Sequence, residues 1–116
     1  MNLTKRLFLF WKIGQSVFKN QNRYENVVLR ISNYLSYYFG MSKTFSIGNI
    51  SYMKKFYRCF PVYYKELEKL SFEHYKLLVD ISGLEERYFY FRVALFCRGN
   101  VEELEEIIRE DIYYFI

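Results

Sequence analysis

His74 is the only histidine in the chain, and histidine is the side chain most often used as a general base near neutral pH. A base of this kind would be paired with a carboxylate, for which Glu73 and Asp80 are the candidates. Asp80, however, follows His74 by six residues, which places it well round a helix from the ring. No serine or cysteine nucleophile can be placed beside the ring from the sequence. We therefore interpret His74 as a structural residue.

Carboxylates are dense near the C-terminus, where four glutamates lie within residues 102–106. Their spacing follows the solvated face of a helix, and a divalent cation would need ligands that converge from other segments. The two cysteines, Cys59 and Cys97, fit no metal or redox spacing and are typical of reduced thiols. Isolated glycines form no phosphate-binding loop. The sequence therefore predicts a protein that is not an enzyme and that holds no metal or cofactor.

Charge is divided sharply along the chain. Residues 1–65 carry eleven Lys or Arg and a single acid, Glu25, for a net charge of +10. Residues 66–116 carry six Lys or Arg against twelve Asp or Glu, for a net charge of −6. A strongly basic surface attracts polyanions. The asymmetry therefore indicates binding, with nucleic acid as the expected partner of the basic half.

Aromatic residues make up 22% of the chain, including 13 Tyr and 12 Phe. They are compatible with a tyrosine-rich core whose hydroxyls reach the surface, and also with an extended platform on which bases stack. The first interpretation is favoured, because a hydrophobic content of 52% indicates a packed fold.

Helical periodicity dominates the elements that must position these side chains. We predict an all-α fold, a compact single domain over residues 1–116 with five to six helices. The predicted helices span about residues 4–19, 24–39, 46–59, 71–81 and 85–97, and a last helix begins after Asn100. Ser46 and Ser71 are predicted N-caps, as is Asn100 with Glu103. The aromatic run at residues 88–91 also suits a buried strand by propensity, but its length and neighbours favour a helix.

The helices over residues 24–39 and 46–59 form a candidate helix-turn-helix pair, joined by a short connector after Gly40. The first is expected to direct an apolar face to the core: Tyr24, Val27, Val28, Ile31, Leu35 and Tyr38. The second is expected to bury Ile47, Ile50, Met53, Tyr57 and Phe60. Its opposite face is polar and basic: Gly48, Ser51, Tyr52, Lys55 and Arg58, with Lys54 at the flank.

Three blocks of the sequence resemble one known family in the same order. Residues 10–14 are FWKIG, similar to the family's YW-x-IG opening. Residues 45–57 are FSIGNISYMKKFY, followed by FP, and are similar to FS-x-x-NL-x-x-MR-x-FY and its following FP. Residues 70–75 are LSFEHY, followed by LL and RYFY, and are similar to LSW-x-HY-x-x-LL and R-x-FY. The chain thus resembles the N-terminal domain of YhcG-type proteins, a group of PD-(D/E)XK nucleases, over roughly residues 10–108.

The resemblance implies a helical, helix-turn-helix-like module that is presumed to bind DNA. Phe72 stands where the family has tryptophan, and the chain ends where the family's nuclease domain would begin. The PD-(D/E)XK pattern needs one acid, followed by an acid and a lysine on a strand. We find no such arrangement on a credible strand of this sequence. No nuclease activity is therefore expected from these residues.

In a helix-turn-helix pair the second helix enters the major groove with its N-terminal residues near the bases. This geometry would place Ser51, Tyr52 and Lys55 near bases, and Lys43, Lys54 and Arg58 on phosphates. A solvated helix face without a ligand is the competing interpretation. DNA is favoured over RNA only because of the family resemblance.

A protein-interaction module is the alternative function. Such a module could act as a small inhibitor or adaptor, for example a mobile-element protein that blocks a host nucleic-acid-targeting ribonucleoprotein. Its interface would include the aromatic C-terminus, with Tyr113, Tyr114 and Phe115, and a homodimer is a further possibility. Folding of this C-terminus back onto the core is the favoured interpretation.

No membrane segment is expected. The apolar run at residues 7–11 is interrupted by Lys12, and no small-residue cleavage site follows it. A spanning helix needs about 20 apolar residues, which no part of this sequence provides. We expect a cytoplasmic protein.

Overall fold

A computed structural model describes residues 3–97 and 100–115, and all regular secondary structure in these residues is helical. The expected all-α class is confirmed. The chain forms two compact units, Met1–Tyr63 and Tyr64–Ile116. The first contains α1 (Leu3–Asn20), α2 (Val27–Phe39) and α3 (Ile47–Cys59). The second contains α4 (Phe72–Val79), α5 (Leu84–Cys97) and α6 (Val101–Arg109), with short 3-10 helices at Lys65–Lys69 and Ile112–Phe115.

The first unit is organised by the packing of α1 along α3. At Gly14 the two backbones are so close that a Cβ atom would lie 1.9 Å from the carbonyl oxygen of Met53. The indole N–H of Trp11 donates to the carbonyl oxygen of Phe60 at 2.8 Å, beyond the end of α3. Both residues of the FP pair that follows α3 therefore help to define its end, since Pro61 cannot continue a helix.

The packing of α2 differs from the sequence prediction. The helix begins at Val27, after Asn26 in a left-handed conformation (φ 54°), so Tyr24 lies outside it. Val27 and Ser32 are buried, whereas Tyr24 and Tyr38, predicted as core residues, are 51% and 64% exposed. The hydroxyl of Ser32 donates to the carbonyl oxygen of Phe45, which satisfies this polar group in the interior.

Side-chain hydrogen bonds define the helix ends of the second unit. Ser71 caps α4 as predicted, and the capping box is completed by His74. The guanidinium of Arg87 donates to the carbonyl oxygen of Ile81 through Nε at 3.1 Å and Nη2 at 2.9 Å. The Tyr75 hydroxyl donates to the carbonyl oxygen of Leu67 at 2.6 Å. The local polar groups are thus used to join α4, α5 and the first 3-10 helix.

The aromatic run at residues 88–91 is helical, within α5, which confirms the preferred interpretation over a strand. The predicted break before α6 includes Arg98 and Gly99, which lie outside the described residues. Asn100 caps α6 by accepting the N–H of Glu103 at 2.9 Å, as predicted.

The C-terminal segment contacts α5 through its two tyrosines, Tyr113 and Tyr114. The Tyr113 N–H donates to the Tyr90 hydroxyl at 3.1 Å, and the Tyr114 hydroxyl donates to Glu86 at 3.2 Å. The negative charge of Glu86, and then its hydrogen bond, raise the pKa of Tyr114 above the usual value. This hydrogen bond is therefore present below the ordinary tyrosine pKa and is lost as the pH rises through the raised value. Phe115 remains 81% exposed, and Ile116 lies outside the described residues.

Candidate nucleic-acid interface

The connector between α2 and α3 is fixed by local hydrogen bonds. Gly40 takes a left-handed conformation (φ 62°) and donates its N–H to the carbonyl oxygen of Ser36, which ends α2. Ser46 accepts the N–H of Asn49 and begins α3 as predicted. The Asn49 amide donates to the carbonyl oxygens of Lys43 and Thr44 at 3.0 and 3.1 Å. The connector backbone, including Lys43, is therefore held against the first turn of α3.

Helix α3 separates a buried face from an outward face. Ile50, Met53 and Phe56 are completely buried. Ile47, predicted to be in the core, is instead 52% exposed, because it lies beside the outward face at the first turn. Four predicted surface residues lie away from the core: Gly48, Lys55 and Arg58 are exposed, and Ser51 is half-buried.

Ser51, Lys55 and Arg58 follow one another at intervals of four and three residues, so they form one stripe along α3. Tyr52 lies at one edge of this stripe, where the Lys55 ammonium nitrogen is 5.0 Å from the centre of its ring. A cation at this distance from an aromatic ring is attracted to it. Four of the six predicted binding residues are thus brought together on the outward side of α3.

Lys54 lies at the other edge of α3. It lines a surface groove of about 300 Å³ together with residues of α1 and α2, among them Val17 and Val27. The structure therefore separates Lys54 from its sequence neighbour Lys55, as expected for consecutive residues on a helix. Lys43 is exposed in the connector.

The electrostatic character of this surface follows from the sequence. No Asp or Glu occurs in residues 26–65, whereas six Lys or Arg do. The outward face of α3 and the connector both belong to this acid-free stretch. A ligand that approaches α3 therefore meets no negative side chain from α2, the connector or α3.

A second polar surface, which the sequence did not predict, lies at the start of α2. A groove of about 450 Å³ lies there, and its polar lining includes Arg23, Glu25, Arg30 and Asn33. Arg23 and Arg30 are exposed and are seven residues apart. Because Arg23 precedes the first residue of α2, Val27, helical periodicity alone does not predict that these two guanidinium groups line one groove.

The sequence model of the DUF1016 N-terminal domain matches residues 3–114. The chain belongs to this family. The match confirms the resemblance to the N-terminal domain of the YhcG-type family. No curated protein and no solved structure matches the chain.

In this DUF1016 N-terminal domain, the residues that carry the family resemblance are mainly structural. Gly14 permits the close contact of α1 with α3, and Asn49 fixes the connector. Ser71 and His74 form the capping box of α4. Arg87 binds the carbonyl oxygen that follows α4. These block residues therefore support the fold, whereas Ser51, Tyr52 and Lys55 stand at positions that the quoted block leaves open and Lys54 stands where the family has Arg.

The geometry of His74 agrees with the structural interpretation. Its Nδ1 atom lies 3.2 Å from the backbone nitrogen and 2.8 Å from the hydroxyl oxygen of Ser71. His74 is 9% exposed, and its ring is used for helix capping. Among residues 3–97 and 100–115, no three His, Cys, Asp or Glu residues are grouped so that they could hold a metal ion.

Within the described part of the chain, no helix combines the length and the apolar character needed to cross a bilayer.

Proposed function

We propose that this DUF1016 N-terminal domain is a non-catalytic nucleic-acid-binding module of the cytoplasm, with DNA as the favoured ligand. The observation that supports it best is the division of α3 into a fully buried face and an outward basic face. This outward face lies within a stretch of 40 residues, 26–65, that contains no acid. Such a surface suits the phosphate backbone, which supplies most of the affinity in non-specific binding.

In the proposed complex α3 is the recognition helix of a helix-turn-helix-like pair. Ser51, Tyr52 and Lys55 lie near the bases, and Arg58 lies on the phosphates. Lys43 and Lys54 contact phosphates from the connector and from the edge of α3. Arg23, which precedes α2, and Arg30, within it, offer further cations to phosphates from the groove at the start of α2. DNA is favoured over RNA only because the family resemblance implies a module that is presumed to bind DNA.

The test is fluorescence anisotropy with short labelled duplex DNA, single-stranded DNA and structured RNA, at about 50 and 200 mM salt, a range in which counterion release changes affinity steeply. We expect the triple variant Lys54→Ala, Lys55→Ala, Arg58→Ala to bind more weakly. Its plot of log affinity against log salt should be shallower, by about 0.9 for each lost contact with a duplex phosphate.

A matched control removes three exposed cations from the second unit: Lys69→Ala, Arg92→Ala and Arg109→Ala. The control has the same net charge as the test variant, so a general charge effect would weaken both equally. Binding that is lost only in the α3 variant supports the proposal. Absence of binding to all three ligands at about 50 mM salt would refute it.

A protein-interaction module is the second candidate function. Phe96 and Phe115 in the second unit are 89% and 81% exposed, and large exposed aromatic side chains are common at protein interfaces. Tyr113 and Tyr114 adjoin Phe115, and α6 presents Glu102, Glu103, Glu105 and Glu106 on its exposed side. The partner would be a nucleic-acid-targeting protein or ribonucleoprotein that the module inhibits, or a second copy.

The two candidate functions predict that different variants will lose the interaction. If a protein binds the acidic unit, reversal of the four α6 glutamates to Lys should abolish the interaction, whereas the α3 triple variant should retain it. The measurement is the effect of each variant on the protein's activity in its host cell. An α3 variant that loses activity while the α6 variant keeps it would contradict the second function.

A further inference from the structure

The outward face of α2 carries an exposed cluster of aromatic side chains. Tyr34, Tyr37 and Tyr38 are 60%, 84% and 64% exposed. The ring centres of Tyr34 and Tyr38 are 4.6 Å apart, and those of Tyr37 and Tyr38 are 5.4 Å apart. We call these three residues the tyrosine cluster. Because their rings contact one another and yet face solvent, they form a preassembled surface on which a flat ligand can stack.

Polar and cationic side chains continue this face towards the start of α2. Arg30, Asn33, Tyr34 and Tyr37 follow at intervals of three, one and three residues, so they share one side of the helix. Arg30 and Tyr37 are about 10 Å apart along the helix axis, at 1.5 Å for each residue. Arg23 lines the same groove as Arg30 and Asn33. The face and the groove beside it thus carry two guanidinium groups, the carboxylate of Glu25, an amide and three aromatic rings.

The chemistry of this face discriminates between possible occupants. Cations beside aromatic rings match a ligand that carries both negative charges and flat apolar groups. A single nucleic-acid strand offers phosphates together with accessible base faces, whereas a duplex keeps its base faces stacked inside. A second copy would bring Arg23 and Arg30 towards the same cations of its partner. Glu25 is the one carboxylate that lines this groove, so it faces two guanidinium groups, and the pairing of two copies would leave cations in excess.

We propose that single-stranded nucleic acid binds along the outward face of α2, with bases stacked on the tyrosine cluster and phosphates at Arg23 and Arg30. This inference rests on the proposed nucleic-acid-binding function and deepens it by adding a second surface, on α2, that takes unpaired stretches of the ligand beside the duplex contacts of α3. Stacking on tyrosine tolerates any base, so little sequence preference is expected.

The experiment uses the full chain and a labelled oligothymidine, with an abasic oligonucleotide of the same length that keeps the phosphates and lacks the bases. Tyr37→Ala should weaken binding to oligothymidine roughly 5- to 150-fold, the range for loss of one stacking contact. Tyr37→Phe should retain the affinity because the ring remains. Tyr37→Leu should lose it, although Leu keeps an apolar side chain. Phe96→Ala, at an exposed aromatic residue of the second unit, is the matched control and should bind as the unmodified chain does.

Each outcome decides between the interpretations. Base stacking is overturned if the chain binds the abasic strand as tightly as oligothymidine and if Tyr37→Ala has no effect. The proposed nucleic-acid-binding function still stands in that case if the α3 triple variant weakens binding. Failure of every nucleic acid to bind overturns both proposals. If Tyr37→Ala abolishes a concentration-dependent dimer in sedimentation and leaves oligothymidine binding unchanged, the occupant is a second copy and the stacking proposal is wrong.

Discussion

At the scale of single residues, side chains with catalytic potential are used to end helices. His74 occupies the third helical position of α4, where a capping box usually has Glu or Gln. Its Nδ1 atom faces the N–H of Ser71, and the Ser71 hydroxyl oxygen accepts the N–H of His74. Each side chain therefore satisfies a backbone donor that the helix itself leaves unpaired.

This arrangement predicts the effect of replacing His74. His74→Ala should lower the free energy of unfolding by about 1 kcal/mol, the usual cost of one lost capping interaction, together with any packing loss. His74→Gln should be less destabilising, because an amide oxygen at this position can accept the same N–H. Urea denaturation followed by circular dichroism measures both. Equal losses of stability for the two variants would show that packing of the ring, not capping, is its contribution.

At the scale of elements, the contact of α1 with α3 fixes the position of the basic face. The carbonyl oxygen of Met53 lies where a side chain at Gly14 would begin. Met53 itself belongs to the buried face of α3, so the contact also sets which side of that helix remains outward. A change at Gly14 is therefore expected to affect the interface indirectly, through the helix that carries it.

Gly14→Ala should destabilise the protein by at least about 1–3 kcal/mol, the typical cost of overpacking, because the added carbon meets backbone and not a movable side chain. Gly48→Ala is the control within the partner helix, where the nearest atom that an added Cβ would meet is 4.0 Å away. It should be neutral or stabilise the helix by about 0.5–1 kcal/mol. Thermal or urea unfolding of both variants measures the difference. A Gly14→Ala protein as stable as the unmodified chain would contradict the close helix contact.

The helices themselves were largely predictable because their determinants are local. Ser46, Ser71 and Asn100 each precede a helix whose first N–H groups need acceptors, and all three act as N-caps. The buried side of α2 was less predictable. Periodicity predicted Tyr38 in the core, whereas the structure buries Ser32, whose hydroxyl is satisfied by the distant carbonyl of Phe45. A pattern in one helix cannot identify such a partner.

The candidate site was predictable to a similar extent. The spacing of Ser51, Lys55 and Arg58 on one helix predicted their shared face. It did not predict that Lys54 would line the groove beside Val17, since this depends on how α1 and α2 lie against α3. The tyrosine cluster was not predicted, because periodicity places Tyr38 in the core and the high aromatic content indicates a tyrosine-rich interior.

At the scale of the whole molecule, the division of charge nearly coincides with the division of structure. The charge changes sign after residue 65, and the second compact unit begins at Tyr64. The basic character is therefore a property of one folded unit, the one that contains α1, α2 and α3. This agreement supports the assignment of nucleic-acid binding to that unit.

The predicted single domain can be tested by its cooperativity. Trp11 is the only tryptophan and lies in the first unit, so tryptophan fluorescence follows the unfolding of that unit. Circular dichroism follows the helices of both units. Units of about 60 residues are marginal alone, so we expect the two signals to change at the same urea concentration. Two separated transitions would instead show that the units unfold independently and that the chain has two domains.

The two faces of α3 also differ in how freely they can change during evolution. Ile50, Met53 and Phe56 hold the fold, whereas exposed residues such as Gly48 and Arg58 can be exchanged at little cost to stability. Selection can therefore alter ligand preference at the outward positions while the buried positions keep the helix in place. The same separation makes α3 a suitable scaffold for engineered libraries, in which only the outward residues are varied.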